Sequence, residues 1–345
     1  MSVADGRYAP SPSGPLHLGN LRTALLAWCF ARSQGARFLL RIEDLDPQRS
    51  RREHEAGILA DLERIGIDWD EPPSRQSERV ERHRAAFEQL RDGGRIYPCW
   101  CSRAEVRQAA SAPHPPLRGA SHPRREGVYP GTCRDLSARE RARRERSGAP
   151  AAWRLDAGSQ RVRFVDVLAG STETVVDDFV VWRADAPSRT SAGIPAYNLA
   201  VVVDDADQGI GEVVRGDDLL ETTPRQILLG RLLGLPVPRY AHVPLVLGAD
   251  GKRLAKRAPP SQGAGAESRG AGPASPAAGG DASPPRWGVT LADRLALGES
   301  VEQVIGWMAS SAGLAKPGRT MRAQQVLAVF DPAKLRREPT VLDGT

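Results

Sequence analysis

The sequence predicts an α/β protein whose parallel sheet is interrupted by an inserted α+β module and followed by a short helical tail. Two observations predict this class. Short apolar segments alternate with helix-length periodic stretches in the first 65 residues, and the alternation returns near residue 199 after a long irregular region. Such alternation is typical of parallel sheets covered by helices. Ligands bind beyond the carboxyl ends of these strands, so the loops that follow them are the expected site.

The first half of the predicted sheet alternates strand, loop and helix. The expected elements are a strand over 7–9, a loop over 10–14, a helix over 19–34, a strand over 37–42 and a helix over 53–65. Pro and Gly punctuate the loop, and the second strand ends in the acidic cluster Glu43-Asp44-Leu45-Asp46.

The second half of the sheet begins with the apolar run 199–203, which we interpret as a buried strand ending at Asp204-Asp205. A strand over 212–216 and a helix over 223–233 follow. In the last sixty residues the pattern predicts short helices, including one over 301–312.

A chain of 345 residues exceeds the usual size of one domain. The segment 258–286 is rich in Gly, Ala, Pro and Ser and lacks the apolar residues needed for a core, so it is predicted to be a disordered linker. The predicted segments are the first half of the sheet domain (1–97), the insertion (98–193), the second half of the sheet domain (194–257), the linker (258–286) and the helical tail (287–345).

The composition is that of a soluble protein, with 40% hydrophobic and 26% charged residues. No apolar run approaches the ~18 residues that span a bilayer, and the first residues do not resemble a signal peptide, so we expect a cytoplasmic protein without membrane association. The net charge of +6 suits a polyanionic partner such as RNA. A compositional bias towards Arg, Ala, Gly and Pro explains the same charge equally well.

The first motif is the stretch RYAPSPSGPLHLGN, residues 7–20. It predicts a strand, a turn and a helix N-terminus, whose free N–H groups attract phosphate. His17 can donate a hydrogen bond to a triphosphate, and Gly19 permits close approach of a nucleotide. A lone His-x-Gly is more often an ordinary surface loop, so it indicates a nucleotide site only together with the other residues of 7–20 and the motifs described below.

This stretch resembles the His-Ile-Gly-His signature of class I aminoacyl-tRNA synthetases, with Asn20 in place of the last His. The resemblance implies a Rossmann-type catalytic core and an ATP site that includes His17, Gly19 and Asn20. Residues 7–14 resemble the glutamyl branch in particular. That resemblance implies that Arg7 pairs with the side-chain carboxylate of glutamate, to which a guanidinium binds in a bidentate manner, and that the pocket is lined by Tyr8, Ala9, Pro10 and Ser11.

A second match is RIEDLDP, residues 41–47. Glu43 follows a strand, where its carboxylate can hold the α-ammonium group of the substrate. The alternative is an acidic cluster at a helix N-terminus near Pro47, which the resemblance outweighs.

A third match covers residues 194–226 and resembles the second half of glutamyl-type catalytic domains. It implies that Tyr197 and Arg215 contact the amino acid and that Asp205 forms a polar wall beside it. The valines of 201–203 are expected to be core. Arg215 lies in an apolar run and needs an anion if it is buried.

A fourth match is LVLGADGKRLAKR, residues 245–257, which resembles the Lys-Met-Ser-Lys-Ser loop of the class I enzymes. Lys256 falls at the second lysine, and Arg253, or Lys252 in a shifted register, at the first, with Ala255 as a departure. The implied role is to stabilise the triphosphate. A basic surface loop is the alternative, but two of the four lysines in the chain fall here.

Three cysteines and a tyrosine form the last motif: Cys99, Cys101, Tyr129 and Cys133. Their spacing resembles that of the glutamyl-queuosine tRNA(Asp) synthetases and implies one structural Zn²⁺ per chain. His114 or His122 could replace Tyr129 as the fourth ligand, and thiols without metal are the remaining alternative. We assign Cys29 to helix packing.

Together these resemblances imply ATP-dependent, tRNA-independent activation of L-glutamate to glutamyl-adenylate with Mg²⁺ and without a protein nucleophile. The glutamate then passes to the queuosine base at the wobble position of tRNA(Asp). The short tail favours this monomeric tRNA-modifying enzyme over a truncated or divergent glutamyl-tRNA synthetase that charges the tRNA 3′ end. A non-catalytic RNA-binding paralogue is the second alternative.

Overall fold

The computed structural model describes residues 4–102, 104–106, 129–184, 193–254 and 288–342. The predicted linker 258–286 lies outside the described residues, as do Lys256, His114 and His122. No helix in the described ranges is long and apolar enough to cross a lipid bilayer.

The strands, in chain order, are β1 (Asp5–Tyr8), β2 (Phe38–Ile42), β3 (Ser74–Arg75), β4 (Ile96–Cys99), β5 (Ala152–Leu155), β6 (Arg161–Asp166), β7 (Gly170–Val175), β8 (Phe179–Arg183), β9 (Ile194–Pro195), β10 (Ile210–Gly216), β11 (Arg239–Val243), β12 (Val246–Leu247) and β13 (Thr340–Val341). The α-helices that we label are α1 (Leu18–Arg32), α2 (Arg52–Arg64), α3 (Val80–Asp92), α4 (Ala138–Arg146), α5 (Tyr197–Asp207), α6 (Thr223–Leu233), α7 (Leu291–Ala296), α8 (Val301–Ser311) and α9 (Ala323–Val329).

A seven-stranded sheet in the order β3-β2-β1-β10-β11-β6-β7 forms the centre of the protein. Its pairs are parallel except for the hairpin β6–β7. The predicted parallel α/β sheet is therefore confirmed. Because β1 lies between β2 and β10, the loops that follow these three strands meet at one edge of the sheet.

The predicted strand over 199–203 is wrong, because these residues lie within helix α5. The helix packs against α3, α6 and the strands β8 and β10. Leu199, Ala200, Val201 and Val203 are therefore all buried, and the polar face that marks a helix in a sequence is missing. Burial of this kind overrides the preference of valine for strands.

The predicted insertion contributes to two sheets. Strands β4, β5, β8 and β9 form a separate antiparallel sheet. The hairpin β6–β7 instead extends the central sheet, because β6 pairs with β11 at Asp166 and Tyr240. The segment 98–193 is thus joined to the sheet domain by strand pairing as well as by the chain.

The described part of the tail, 288–342, is also joined to the sheet domain. Leu18 N, at the start of α1, donates to Val289 O at 2.8 Å, and β13 pairs with β12. The buried Arg22 of α1 donates to Ser311 Oγ at 3.4 Å and to Pro244 O. The tail therefore contacts both the helix that follows the first motif and the strand that precedes the lysine loop.

Asp204 in α5 links the helical layer to the sheet. Its buried carboxylate accepts hydrogen bonds from Gln76 Nε2 (2.9 Å) and Arg79 Nε (2.7 Å), and it lies 2.9 Å from His83 Nε2. Burial alone would raise the pKa of Asp204, but His83, Arg41 and Arg79 hold it below its usual value. The carboxylate therefore stabilises the fold at neutral pH, and this contribution is lost as the pH falls from the ordinary pKa of aspartate through the lowered pKa of the folded state.

We predict that Asp204→Asn costs about 3–5 kcal/mol of unfolding free energy at pH 7, because it leaves buried donors and charges unpaired. The difference from the unmodified chain should shrink below about pH 4, where the unfolded aspartate takes up a proton and the folded one follows at lower pH. Urea unfolding at several pH values measures both effects. Asp207→Asn is the matched control, because Asp207 lies on the same helix but is partly exposed; it should cost less than about 1 kcal/mol. Equal costs for the two variants would contradict this assignment.

Candidate active site

The predicted amino-acid-binding residues meet where β1, β2 and β10 end. Arg7 is near the end of β1, Glu43 follows β2, and Arg215 is near the end of β10. Arg7 and Arg215 are buried, and the Glu43 side chain is about nine-tenths buried. The sheet topology thus brings together residues that are far apart in the sequence.

An ion-pair network holds two of the arginines. Arg7 Nε donates to Asp205 Oδ1 at 3.1 Å, and Arg41 Nη1 lies 2.8 Å from the same oxygen. Arg41 Nη2 lies 3.6 Å from Glu43 Oε1. Burial raises the pKa of Glu43, while Arg41 and Arg7 act in the opposite direction. Asp205, expected as a polar wall, is the shared counter-ion of both arginines.

Arg215 has a different environment, because the described contacts of its guanidinium are with neutral groups. Its Nε donates to His242 Nε2 at 3.1 Å and its Nη2 to Thr223 Oγ1 at 2.8 Å. Its Nη1 is buried and has no hydrogen-bond partner in the part of the chain that the structure describes. A buried guanidinium with an unused donor is suited to an anionic ligand.

Tyr197 lies at the first turn of α5 and is 38% exposed. Desolvation of its phenol raises its pKa, and Glu43 and Asp205 act in the same direction, whereas Arg215 and Arg7 lower it. Tyr197 therefore lies close to the charged residues at the strand ends.

The loop after β1 connects this group to the first motif. Glu43 N donates to Pro10 O at 3.0 Å, which ties the loop to the end of β2. Pro10 is buried, Ala9 is half-buried and Ser11 is exposed. Tyr8 packs in the hydrophobic core below the loop, where burial and then Glu43 raise its pKa.

His17 forms the N-cap of α1. Its Nδ1 accepts from Asn20 N at 3.1 Å, so in the neutral ring Nε2 carries the proton. A Cβ on Gly19 would lie 3.1 Å from Val246 Cβ and 3.1 Å from His17 Nδ1, so the close approach of β12 leaves little room for a side chain at this position. Asn20 Oδ1 is buried without a hydrogen-bond partner among the described atoms. The first motif therefore lies directly beside the strand that leads into the lysine loop.

The lysine loop is described only as far as residue 254, so the predicted roles of Lys256 and Ala255 fall outside the described residues. Gly248 N donates to Lys252 O at 2.7 Å in a tight turn. Arg253 forms an ion pair with Asp218, whereas the Lys252 side chain is 83% exposed. Both alternatives for the first lysine stay open.

The cysteine motif forms a compact cluster at the end of β4. The three sulfur atoms of Cys99, Cys101 and Cys133 lie within 4.8 Å of one another. Tyr129 Oη lies 3.5 Å from Cys99 Sγ and 3.7 Å from Cys101 Sγ, and the sulfurs of Cys101 and Cys133 are 3.5 Å apart. Ligands about 2.3 Å from a tetrahedral metal lie roughly 3.7 Å apart, so the cluster fits a thiophilic metal. Cys29 packs in the core formed by α1.

The sequence reasoning missed several polar residues of the site. Arg41 and His242 both interrupt buried strands, which is the signal that singled out Arg215. Asp166 at the end of β6 offered no comparable signal, because its partner His242 is 76 residues away.

Comparisons with known proteins agree with this geometry. A family profile described as "tRNA synthetases class I (E and Q), catalytic domain" matches residues 4–265. A glutamyl-Q tRNA(Asp) synthetase from Nocardia farcinica is 53% identical over 98% of this chain and 92% of that protein. The chain belongs to the class I (E and Q) tRNA synthetase family, in its glutamyl-Q tRNA(Asp) synthetase group.

Two further comparisons support this membership. A glutamyl-Q tRNA(Asp) synthetase from Symbiobacterium thermophilum is 45% identical over 97% of this chain and 94% of that protein. A crystal structure of a glutamate tRNA ligase from Elizabethkingia meningosepticum, in complex with its amino acid, superposes with a TM-score of 0.73 at 26% identity. It covers 99% of this chain and 67% of that one. This synthetase is therefore an ATP-dependent ligase of a family that uses glutamate, ATP and tRNA.

We predict that the purified synthetase retains about one equivalent of metal per chain after incubation with Zn²⁺ and gel filtration. Cys133→Ser should lose most of this metal, because it removes one of three clustered thiolates. Elemental analysis by mass spectrometry measures the content. Cys29→Ser, which changes the one cysteine outside the cluster, should retain it. Equal metal content in the two variants would exclude the cluster as the binding site.

Proposed function

We propose that this synthetase activates L-glutamate with ATP and Mg²⁺, without tRNA, and transfers the glutamyl group to the queuosine base at the wobble position of tRNA(Asp). The observation that carries the proposal is that Arg215, which has an unused buried donor, and the carboxylate Glu43 lie at the ends of strands in one sheet, both near Tyr197. Relatives named glutamyl-Q tRNA(Asp) synthetases match nearly the whole chain and support the choice of acceptor.

The pocket suits two of the three charged groups of glutamate, the side-chain carboxylate and the α-ammonium group. Arg215 and Arg7 would bind the side-chain carboxylate, with Tyr197 donating from its hydroxyl. Glu43 would hold the α-ammonium group. Asp205 accepts a hydrogen bond from Arg7 and holds the Arg7 guanidinium in place, where the substrate carboxylate would be its second anionic partner. The loop from Tyr8 to Ser11 would close one side.

The nucleotide would bind beside the pocket, at the N-terminus of α1. His17, Gly19 and Asn20 would contact ATP, and Lys256 would stabilise the triphosphate. An oxygen of the glutamate α-carboxylate attacks the α-phosphorus, and the bond to pyrophosphate breaks. A queuosine hydroxyl then attacks the glutamyl carbonyl and displaces AMP. Positioning and charge neutralisation are sufficient for both steps, so no protein nucleophile is needed.

We assign one structural Zn²⁺ to Cys99, Cys101, Tyr129 and Cys133. A bound ion would join the end of β4 to the turn at 129–133 and would take no part in the reaction. Cys133 N donates to Tyr129 Oη at 2.7 Å, which fixes the phenol among the thiols. The proposed enzyme acts as a monomer in the cytoplasm, where thiols remain reduced.

The acceptor is tested by incubating labelled glutamate and ATP with the synthetase and tRNA(Asp) that either carries or lacks queuosine. We expect label only on the queuosine-containing tRNA. Labelling that ignores queuosine would favour a glutamyl-tRNA synthetase instead. Glutamate-dependent ATP–pyrophosphate exchange without tRNA tests activation separately, and its absence would favour the non-catalytic paralogue.

Glu43→Gln should raise the KM for glutamate in this exchange about tenfold or more, because a charge-assisted contact is lost. The KM for ATP should change little. Burial raises the pKa of Glu43. On acidification, the affinity of the unmodified enzyme for its substrate should therefore fall at a pH above the ordinary pKa of a glutamate side chain. Glu43→Gln should not show this fall in affinity. Asp46→Asn, in the same acidic cluster, is the control, and an equal effect from it would contradict the role of Glu43.

A further inference from the structure

Arg215 is held by a buried histidine that lies outside the family motifs identified above. His242 in β11 lies beside Arg215 in β10, and the two are paired in the parallel register. Arg215 Nε approaches His242 Nε2 to 3.1 Å. Both side chains are buried, so this hydrogen bond is shielded from solvent.

The contact determines the protonation state of His242. An arginine has only N–H donors, so Nε2 of the histidine must accept. The ring is then neutral and carries its proton on Nδ1, which donates to Asp166 Oδ2 at 2.6 Å. Thr223 Oγ1 also lies 3.1 Å from Nε2, but it is 3.1 Å from Leu219 O, which can take its proton.

Asp166 is itself fixed by the turn between β6 and β7. Its Oδ1 accepts from Leu168 N and Ala169 N, both at 2.9 Å, and from His242 N at 3.3 Å. Three backbone donors thus hold Oδ1, and Oδ2 is left for the histidine ring. The chain Asp166–His242–Arg215 runs from the inserted hairpin to the glutamate pocket.

The surroundings of His242 favour the neutral ring. Burial lowers the pKa of His242, and Arg215 lowers it further, while Asp166 and Asp217 act in the opposite direction. The Tyr240 ring stacks on the imidazole with a centroid distance of 6.0 Å and an interplanar angle of 14°. The net direction is downward, so the ring stays neutral at pH 7.

We propose that Asp166 and His242 are positioning residues for substrate recognition: they orient the Arg215 guanidinium so that its remaining donors face the glutamate carboxylate. The inference rests on the proposed function, since the role of Arg215 in binding glutamate is part of it. It also gives the β6–β7 hairpin of the insertion a role in the amino-acid pocket, in addition to extending the sheet.

Three substitutions test the separate hydrogen bonds of the chain Asp166–His242–Arg215. Asp166→Asn should keep Oδ1 on the backbone amides and present an N–H to His242 Nδ1. The ring proton is then forced to Nε2, where it opposes the N–H of Arg215. His242→Phe removes the acceptor, whereas His242→Gln can retain an oxygen close to the position of Nε2.

We expect Asp166→Asn and His242→Phe to raise the KM for glutamate at least tenfold in ATP–pyrophosphate exchange, with a smaller change in kcat and an unchanged KM for ATP. His242→Gln should recover much of the loss. In the unmodified enzyme, protonation of His242 should weaken glutamate binding, and because its pKa is lowered this effect should begin below the ordinary range of histidine. His242→Gln should not show this loss of glutamate affinity, but it should keep the loss that protonation of Glu43 causes.

His83→Gln is the matched control, because His83 is an equally buried histidine that bonds an aspartate, Asp204, but has no described contact with Arg215. It should lower stability and leave the KM for glutamate unchanged. Calorimetric titration with glutamate provides a second measurement that needs no turnover.

The outcomes distinguish this inference from the proposed function. If the unmodified enzyme binds glutamate and the Asp166 and His242 variants match its KM and affinity within twofold, the positioning role is wrong and the function stands. If the unmodified enzyme neither binds glutamate nor catalyses exchange, both are wrong.

Discussion

The site depends on the burial of arginines at the ends of three neighbouring parallel strands. Arg7, Arg41 and Arg215 come from β1, β2 and β10, and each is largely removed from water. Such charges are costly to bury unless they are paired. Asp205 pairs with the first two, whereas Arg215 is held by neutral groups and keeps a donor unused. This asymmetry is the reason that we propose Arg215 as a ligand of the substrate carboxylate.

Segments outside the central sheet also shape the site. The hairpin β6–β7 provides Asp166, which bonds His242, and His242 in turn accepts from Arg215. The tail provides the carbonyl of Val289, which accepts from the first amide of α1, and strand β13, which pairs with β12 beside Gly19. The insertion therefore contacts the proposed amino-acid site, and the tail contacts the elements proposed to bind the nucleotide.

Much of the fold and many of the candidate residues follow from local patterns. The strands before Glu43 and around Arg215, and the helix after His17, have short apolar runs and loop signals that act within a few residues. The run 199–203 was misread as a strand, because its helix is covered on several sides and has no visible polar face. Periodicity cannot distinguish a fully buried helix from a buried strand over five residues.

The sequence by itself determined the chemical types present: an arginine in an apolar strand, an acid after another strand, a His-x-Gly before a helix, and a set of thiols with a tyrosine. Only the tertiary structure decided which charges neutralise each other. Asp205 could pair with any arginine, and the chain order does not reveal that Arg7 and Arg41 share it while Arg215 is left to His242. Ion pairing depends on distance in space, and the distances are set by the order of strands in the sheet.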